Sequence, residues 1–257
     1  MDILDRFIGN AMESVREGYY GGRIRHEGGG VSLLRRVSQG RFALVCEIKH
    51  ASPAGEYSFS SIDVEKTAAD FRESGADAIS VVVEPRVFKG DIGNIALAKN
   101  AGLPVLFKDF VISETQVKAA KDAGADAVLL IVKVAQRLGL DLDGLVDAAH
   151  GMGLEVLLES YDAGELKTAM RTDADILGIN NRDLQSLEVD IGRTGRILEE
   201  AGGADRPLIS ESGIRCGDDV RLVRKAGADG ALVGTAIWKA KDLRAKIREL
   251  KGGGADG

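Results

Sequence analysis

The chain is poor in the residues that cross-link or punctuate small modular proteins. Among 257 residues only 4 are proline, 2 are cysteine, 3 are histidine and 1 is tryptophan, and aromatics make up 5%. Cys46 lies within an apolar run and Cys216 at a predicted helix start, far apart in sequence, which excludes a disulfide framework and the paired spacing of a metal knuckle. His26 and His150 fall outside the apolar runs, so no metal site is expected. No apolar run approaches the roughly 20 residues of a spanning helix, and Met1 is followed by Asp2 rather than a basic and then apolar leader. These absences predict a soluble, cytoplasmic protein with no membrane partner. A formal net charge of −6 argues against nucleic acid, which needs a basic face, but permits a small anionic substrate held by local cations.

What is present is apolar and turn-rich: 44% hydrophobic residues and 33 glycines. That content fills a large core with many tight turns, and the length suits either two small domains or one α/β barrel, which typically runs to about 250 residues. A repeat decides between them. The segments 74–80, 123–130, 172–179 and 226–234 share one grammar: a helix end closed by a small residue, a turning aspartate (Asp77, Asp126, Asp175, Asp229), then a strand. The aspartates recur about every 50 residues, or two strand–helix units each. Four further apolar runs, 42–48, 104–107, 154–159 and 207–211, lie between them. Eight strands alternating with helices predict an α/β protein, a (β/α)8 TIM barrel forming one domain. Residues 1–40 read as an N-terminal helical extension with a flexible GGRIRHEGGG segment, 42–250 as the barrel and 251–257 as a flexible tail. Capped starts and glycine stops place helices at Ser61–Ser74, Ser113–Ala123, Tyr161–Arg171, Asp190–Ala201 and Gly217–Ala226.

Charged and amide residues end several of these strands. Glu47 and Lys49 close LVCEIK, Lys108 closes VLFK, Glu159 closes EVLLE, and Asn180 closes DILGIN with Arg182 just beyond. Such residues emerge at the C-terminal mouth of a barrel, where a lysine and a glutamate tuned by burial and by each other serve as general acid and base. The plain alternative is a set of salt bridges tying loops to the rim. After the last two strands, ISESGI (Glu211, Ser212, Gly213) and LVGTAI (Gly234, Thr235) offer bare amides and hydroxyls for a phosphate. A phosphorylated small-molecule substrate is therefore expected.

These residues, together with EIKHASPAG, VVVEPRVFKG, LFKDFVISETQV and LGINNRDLQSLEVD, resemble indole-3-glycerol phosphate synthase, the ring-closing enzyme family of tryptophan biosynthesis. The resemblance covers about 42–240, and the N-terminal extension is also a family trait. It implies a carboxy-lyase without a cofactor, which converts carboxyphenylamino-deoxyribulose phosphate to indole glycerol phosphate with loss of carbon dioxide and water. By that similarity Lys108 is the general acid on the ketone oxygen and Glu159 the general base in dehydration, with Glu47 and Asn180 orienting them. Arg182 takes the substrate carboxylate; Lys49, Glu211, Ser212, Gly213, Gly234 and Thr235 serve the polar and phosphate end. Ser52 and Pro53 shape the first loop, 50–58, a lid with Gly55 as pivot, while Phe88 and Phe110 wall the aromatic end. Departures from the pattern are His50 for a basic residue, Ala54 for serine and Asp91 for serine. The lysines also leave a Schiff-base aldolase open, and the phosphate motifs a non-catalytic regulatory barrel. The protein is expected as a monomer or weak homodimer.

Overall fold

Each apolar run is buried on both faces, as parallel strands covered by helices must be. In the computed structural model, which describes residues 2–22, 30–183 and 186–254, eight strands form: β1 (Ala43–Ile48), β2 (Ala78–Val82), β3 (Val105–Lys108), β4 (Ala127–Ile131), β5 (Glu155–Ser160), β6 (Ile176–Asn180), β7 (Leu208–Glu211) and β8 (Gly230–Val233). They pair in sequence order, all parallel, and β8 closes onto β1. The helices are α1 (Ile3–Arg16), α2 (Leu33–Val37), α3 (Val64–Glu73), α4 (Gly93–Lys99), α5 (Glu114–Ala123), α6 (Val132–Leu138), α7 (Leu142–Gly151), α8 (Ala163–Ala169), α9 (Arg193–Ala201), α10 (Gly217–Ala226), α11 (Thr235–Trp238) and α12 (Leu243–Gly253).

Period-two alternation sorts the strand residues into two cores. Leu44, Cys46, Val128, Leu130, Val156 and Leu158 point outward and pack beneath the helices. Val45, Leu106, Leu129, Leu157, Ile176, Ile209 and Leu232 point inward and fill the barrel. The inward set is continuous with Leu4, Phe7 and Ile8 of α1 and Leu33 of α2, so the N-terminal extension packs against the barrel's interior core rather than hanging from it.

The four repeated aspartates have a common task. Asp77 accepts from Leu44 N at 2.8 Å, Asp126 from Val105 N at 2.7 Å, Asp175 from Val156 N at 2.7 Å and Asp229 from Leu208 N at 2.9 Å. Each carboxylate ties the start of the strand that follows it to the first or second amide of the strand before. Three also meet a basic side chain: Lys251 on Asp77, His150 on Asp175, and the buried Lys99 on Asp126 at 2.6 Å. These ties lie at the N-terminal face, which reads as stability.

Helix starts are where the sequence reading slips. The third helix begins at Val64 behind an Asp63 cap, not at Ser61; the eighth at Ala163 behind Asp162, not at Tyr161; the ninth at Arg193, not at Asp190. In the first two, the aspartate accepts the amide three residues on, so the better capping side chain sets the start. The expected tail from 251 is also corrected: α12 continues through Gly253, and Lys251 is anchored to Asp77 and to Phe42 O. Residues 23–29, which hold most of GGRIRHEGGG and His26, lie outside the described residues, as do 255–257.

Asp126→Asn should leave the Lys99 ammonium buried without its counter-charge and cost about 3 kcal/mol of stability. Urea unfolding of the variant beside wild type measures it; a loss below about 1 kcal/mol would show that the tie is not a structural anchor.

Candidate active site

The inward parity that fills the barrel with leucine and isoleucine runs on, at the C-terminal strand ends, into polar residues. On β1 the inward series 43, 45 continues to Glu47 and Lys49; on β3 Leu106 is followed by Lys108; on β5 Leu157 by Glu159 and then Tyr161. Ile176 leads through Gly178 to Asn180, Ile209 to Glu211, and Leu232 to Gly234. All of these polar residues line one cavity of about 900 Å³ at the mouth, as do both glycine-adjacent residues Ser212 and Thr235.

Lys108 is the hub. Its Nζ stands 3.9 Å from Glu47 and 3.9 Å from Glu211, beyond hydrogen-bond reach of either, so the ammonium is held by the field of the carboxylates rather than by contact. Burial alone would depress its pKa, but Glu159, Glu211 and Glu47 overcome this and raise it. Glu47 lies the other way: burial pushes its carboxyl up, and Lys49, 2.6 Å away, with Lys108 brings it below the usual range. Glu211 is pushed well above that range by burial and then by the Glu159 charge, with Lys108 opposing, which favours its protonated form. Two carboxyls of one cluster are thus driven apart, one toward its charged form and one toward its neutral form.

Two glycines make room for these carboxyls. A Cβ at Gly234 would collide with the Glu47 carboxylate, and one at Gly178 would lie 2.7 Å from Glu211 Oε1. Around Glu159, Oε1 accepts from Tyr161 OH at 2.5 Å and Oε2 from Asn180 Nδ2 at 3.1 Å. The Asn180 carbonyl in turn accepts the Arg182 amide at 2.9 Å. The Arg182 guanidinium donates to Leu187 O and lies 3.9 Å from Glu56.

The apolar end is a ring trio. Phe7 from α1 stacks on Phe110 with centroids 4.7 Å apart and meets Phe88 at 5.7 Å; all three line the cavity with Leu129, Ile131 and Leu187. Asp109, beside this wall, is buried and pushed up to about 6, and accepts the Tyr20 hydroxyl at 2.7 Å. At the opposite end Ser212 has φ +66° and Gly213 φ +83°, a left-handed turn beneath Gly234 and Thr235, with Arg215, Lys239 and Lys246 on the lining. A concave apolar wall facing a cationic rim across one lysine suits an aromatic, anionic ligand.

Most of the residues singled out in the sequence converge here, and two findings modify the reading. Ser52 does not line the cavity; it is buried and donates to Glu56 at 2.7 Å, shaping the loop from within. His50 and Asp91 face a separate cleft with Phe59, Lys89 and Asn94, so two of the three departures lie away from the cavity, whereas Ala54 lines it. Unanticipated members are Phe7, Glu56, Tyr161, Leu187, Arg215, Lys239 and Lys246. Only Tyr161 carried a local signal, since it shares the parity of Glu159.

An eight-stranded barrel whose strand ends bring lysines, carboxyls and glycine-flanked hydroxyls into one cavity has the arrangement of a barrel enzyme. Comparison with known proteins narrows the class. Residues 28–250 match the family model for indole-3-glycerol phosphate synthase. The indole-3-glycerol phosphate synthase of Caldanaerobacter subterraneus subsp. tengcongensis is 39% identical over 220 residues, 84% of each chain. That of a Thermoanaerobacter species is 37% identical over 234 residues, 89% of this chain and 88% of its own. Among solved structures, Mycobacterium tuberculosis tryptophan synthase superposes with a TM-score of 0.65 at 16% identity, covering 88% of this chain and 100% of that one. A thiamine phosphate pyrophosphorylase from Pyrococcus furiosus does so at 0.62 and 20%, covering 86% and 97%; both show the barrel fold alone. The chain belongs to the indole-3-glycerol phosphate synthase family.

Gly234→Ala should displace the Glu47 carboxylate and with it the Lys49 contact. Activity is expected to fall on the order of 100-fold with thermal stability nearly kept, as for a misplaced site group; near-wild-type activity would show that Glu47's position is not critical.

Proposed function

We propose that this chain performs the reaction for which its family is named: ring closure of carboxyphenylamino-deoxyribulose phosphate, a phosphorylated small molecule, to indole glycerol phosphate, with loss of carbon dioxide and water. The observation that carries the reading is the isolated Lys108 ammonium, ringed by Glu47, Glu159 and Glu211 and out of contact with two of them. A cation so placed gives a ketone oxygen the proton it needs as the ring carbon attacks the carbonyl carbon. Carbon dioxide then leaves, restoring the aromatic ring, and the hydroxyl formed at the former ketone departs as water. Glu159 serves as the base of that dehydration, oriented by Asn180; Glu47 fixes Lys49.

Substrate orientation follows from the two ends of the cavity. Phe7, Phe88 and Phe110 take the aromatic ring. Arg182 takes the ring carboxylate, for which its planar fork is suited. Ser212, Gly213, Gly234 and Thr235 take the phosphate by hydroxyl and amide, with Lys49 and the rim cations Arg215, Lys239 and Lys246 supplying charge. Loop 50–58 acts as the lid: Gly55 has φ +71°, and the loop is already folded by the Ala51–Ser58 bridge and the Ser52–Glu56 bond. No cofactor enters the scheme.

Purified protein given the carboxyphenylamino substrate should develop indole glycerol phosphate fluorescence, and Lys108→Ala should lose at least about 100-fold in kcat. Tight substrate binding without turnover by wild type would contradict the enzymatic reading. Separately, amide exchange across 50–58 should slow when a product analogue binds; unchanged exchange there would remove the lid.

A further inference from the structure

The β5 end carries a second inward side chain beyond the proposed base. Tyr161 follows Glu159 by two residues, belongs to the inward core with Leu129, Ile131 and Leu157, and is 5% exposed, yet its hydroxyl reaches the cavity floor. There it donates to Glu159 Oε1 at 2.5 Å and lies 3.2 Å from Asn180 Nδ2, so a Tyr–Glu–Asn triangle closes around the carboxylate. The ring is fixed from behind. Its backbone amide donates to Glu165 Oε2 at 2.8 Å, Lys133 Nζ sits 5.1 Å from the ring centroid, and the same Nζ is 3.7 Å from Glu165. A phenylalanine would fill the same volume; what the hydroxyl adds is its bond to the carboxylate and the one it accepts from Asn180.

We propose that Tyr161 is a positioning residue for the proposed general base, holding one oxygen of Glu159 through its phenolic hydroxyl while Asn180 holds the other, so that the carboxyl is aimed when dehydration begins. This rests on the reading of Glu159 as the base. Two donors on the two oxygens remove the carboxyl's rotational freedom. The charged and titratable groups around Glu159 are Lys108 from β3, Glu211 from β7, Glu165 from α8 and Tyr161 itself. Burial, then the Glu159 charge, raises the phenol far above its ordinary value, so it remains a donor throughout the working range.

The test compares Tyr161→Phe, Glu159→Gln and the double variant in kcat, KM and the pH dependence of kcat. A hydrogen bond to a charged group contributes about 1.5–3 kcal/mol, so Tyr161→Phe should lower kcat by about 10- to 100-fold with KM within about threefold of wild type. Because the hydroxyl contacts the proposed base, the acid limb of the kcat profile should also move, which a loss of packing alone would not produce. In the Glu159→Gln background the same substitution should change kcat by less than about threefold. An unmoved acid limb and a kcat within about twofold of wild type, with Glu159→Gln inactive, would overturn the role of Tyr161 alone. Full activity of Glu159→Gln would overturn the base assignment and this inference with it. A melting temperature for Tyr161→Phe within a few degrees of wild type keeps a folding defect from imitating the result, and a role in packing alone would leave the pH profile in place.

Discussion

Three carboxyls and two ammonium groups share the barrel mouth, and the rest of the site is arranged around keeping them there. Glu47, Glu159 and Glu211 are each no more than 4% exposed, and Lys49 is 8% exposed. Charges so placed are costly unless paired or neutralised. The chain meets the constraint in three ways: Lys49 pairs directly with Glu47, Glu211 is driven toward its neutral form, and Glu159 is held by a phenol and an amide. Lys108 is left in the field of all three without committing to a contact with Glu47 or Glu211.

The scaffold serves this cluster in specific places. Gly178 within β6 and Gly234 just past β8 stand where any Cβ would enter carboxylate space. The aspartate ties at the opposite face fix where each strand begins, and in a closed barrel the start of a strand sets the height at which its last residue emerges. Stability at one end thus becomes geometry at the other. The N-terminal extension adds Phe7 to the cavity wall and Tyr20 to Asp109, so it belongs to the site.

Much of this was legible in the sequence because buried parallel strands tolerate polar residues only at their ends. Glu47, Lys108, Glu159 and Asn180 each interrupt an apolar run, which locates them without knowledge of their neighbours. The repeated aspartates mark the period of the fold, though their work at the start of the preceding strand depends on which strands are adjacent. Phe7 and Glu56 were not legible, since one sits on a helix far from the barrel in sequence and the other on a loop whose fold is set by Ser52. Tyr161 reads as a helix start by its place before an acidic stretch, but Asp162 is the cap, and alternation from Glu159 sets Tyr161 inward. The helix through Gly253 was hidden by its glycines and is held by Lys251 on Asp77. Family likeness supplied the chemistry, which fold and parity alone do not specify.

The central claim is that Lys108 and the carboxyls around it are the reacting groups, with ring and phosphate at opposite ends of one cavity. A crystal structure with the substrate analogue in which the ketone is reduced to a hydroxyl addresses it directly. The account predicts that hydroxyl within hydrogen-bond distance of Lys108 Nζ, the ring against Phe7, Phe88 and Phe110, and the phosphate on Ser212, Gly213, Gly234 and Thr235. An analogue bound with its hydroxyl remote from Lys108, or turned end for end, would contradict it.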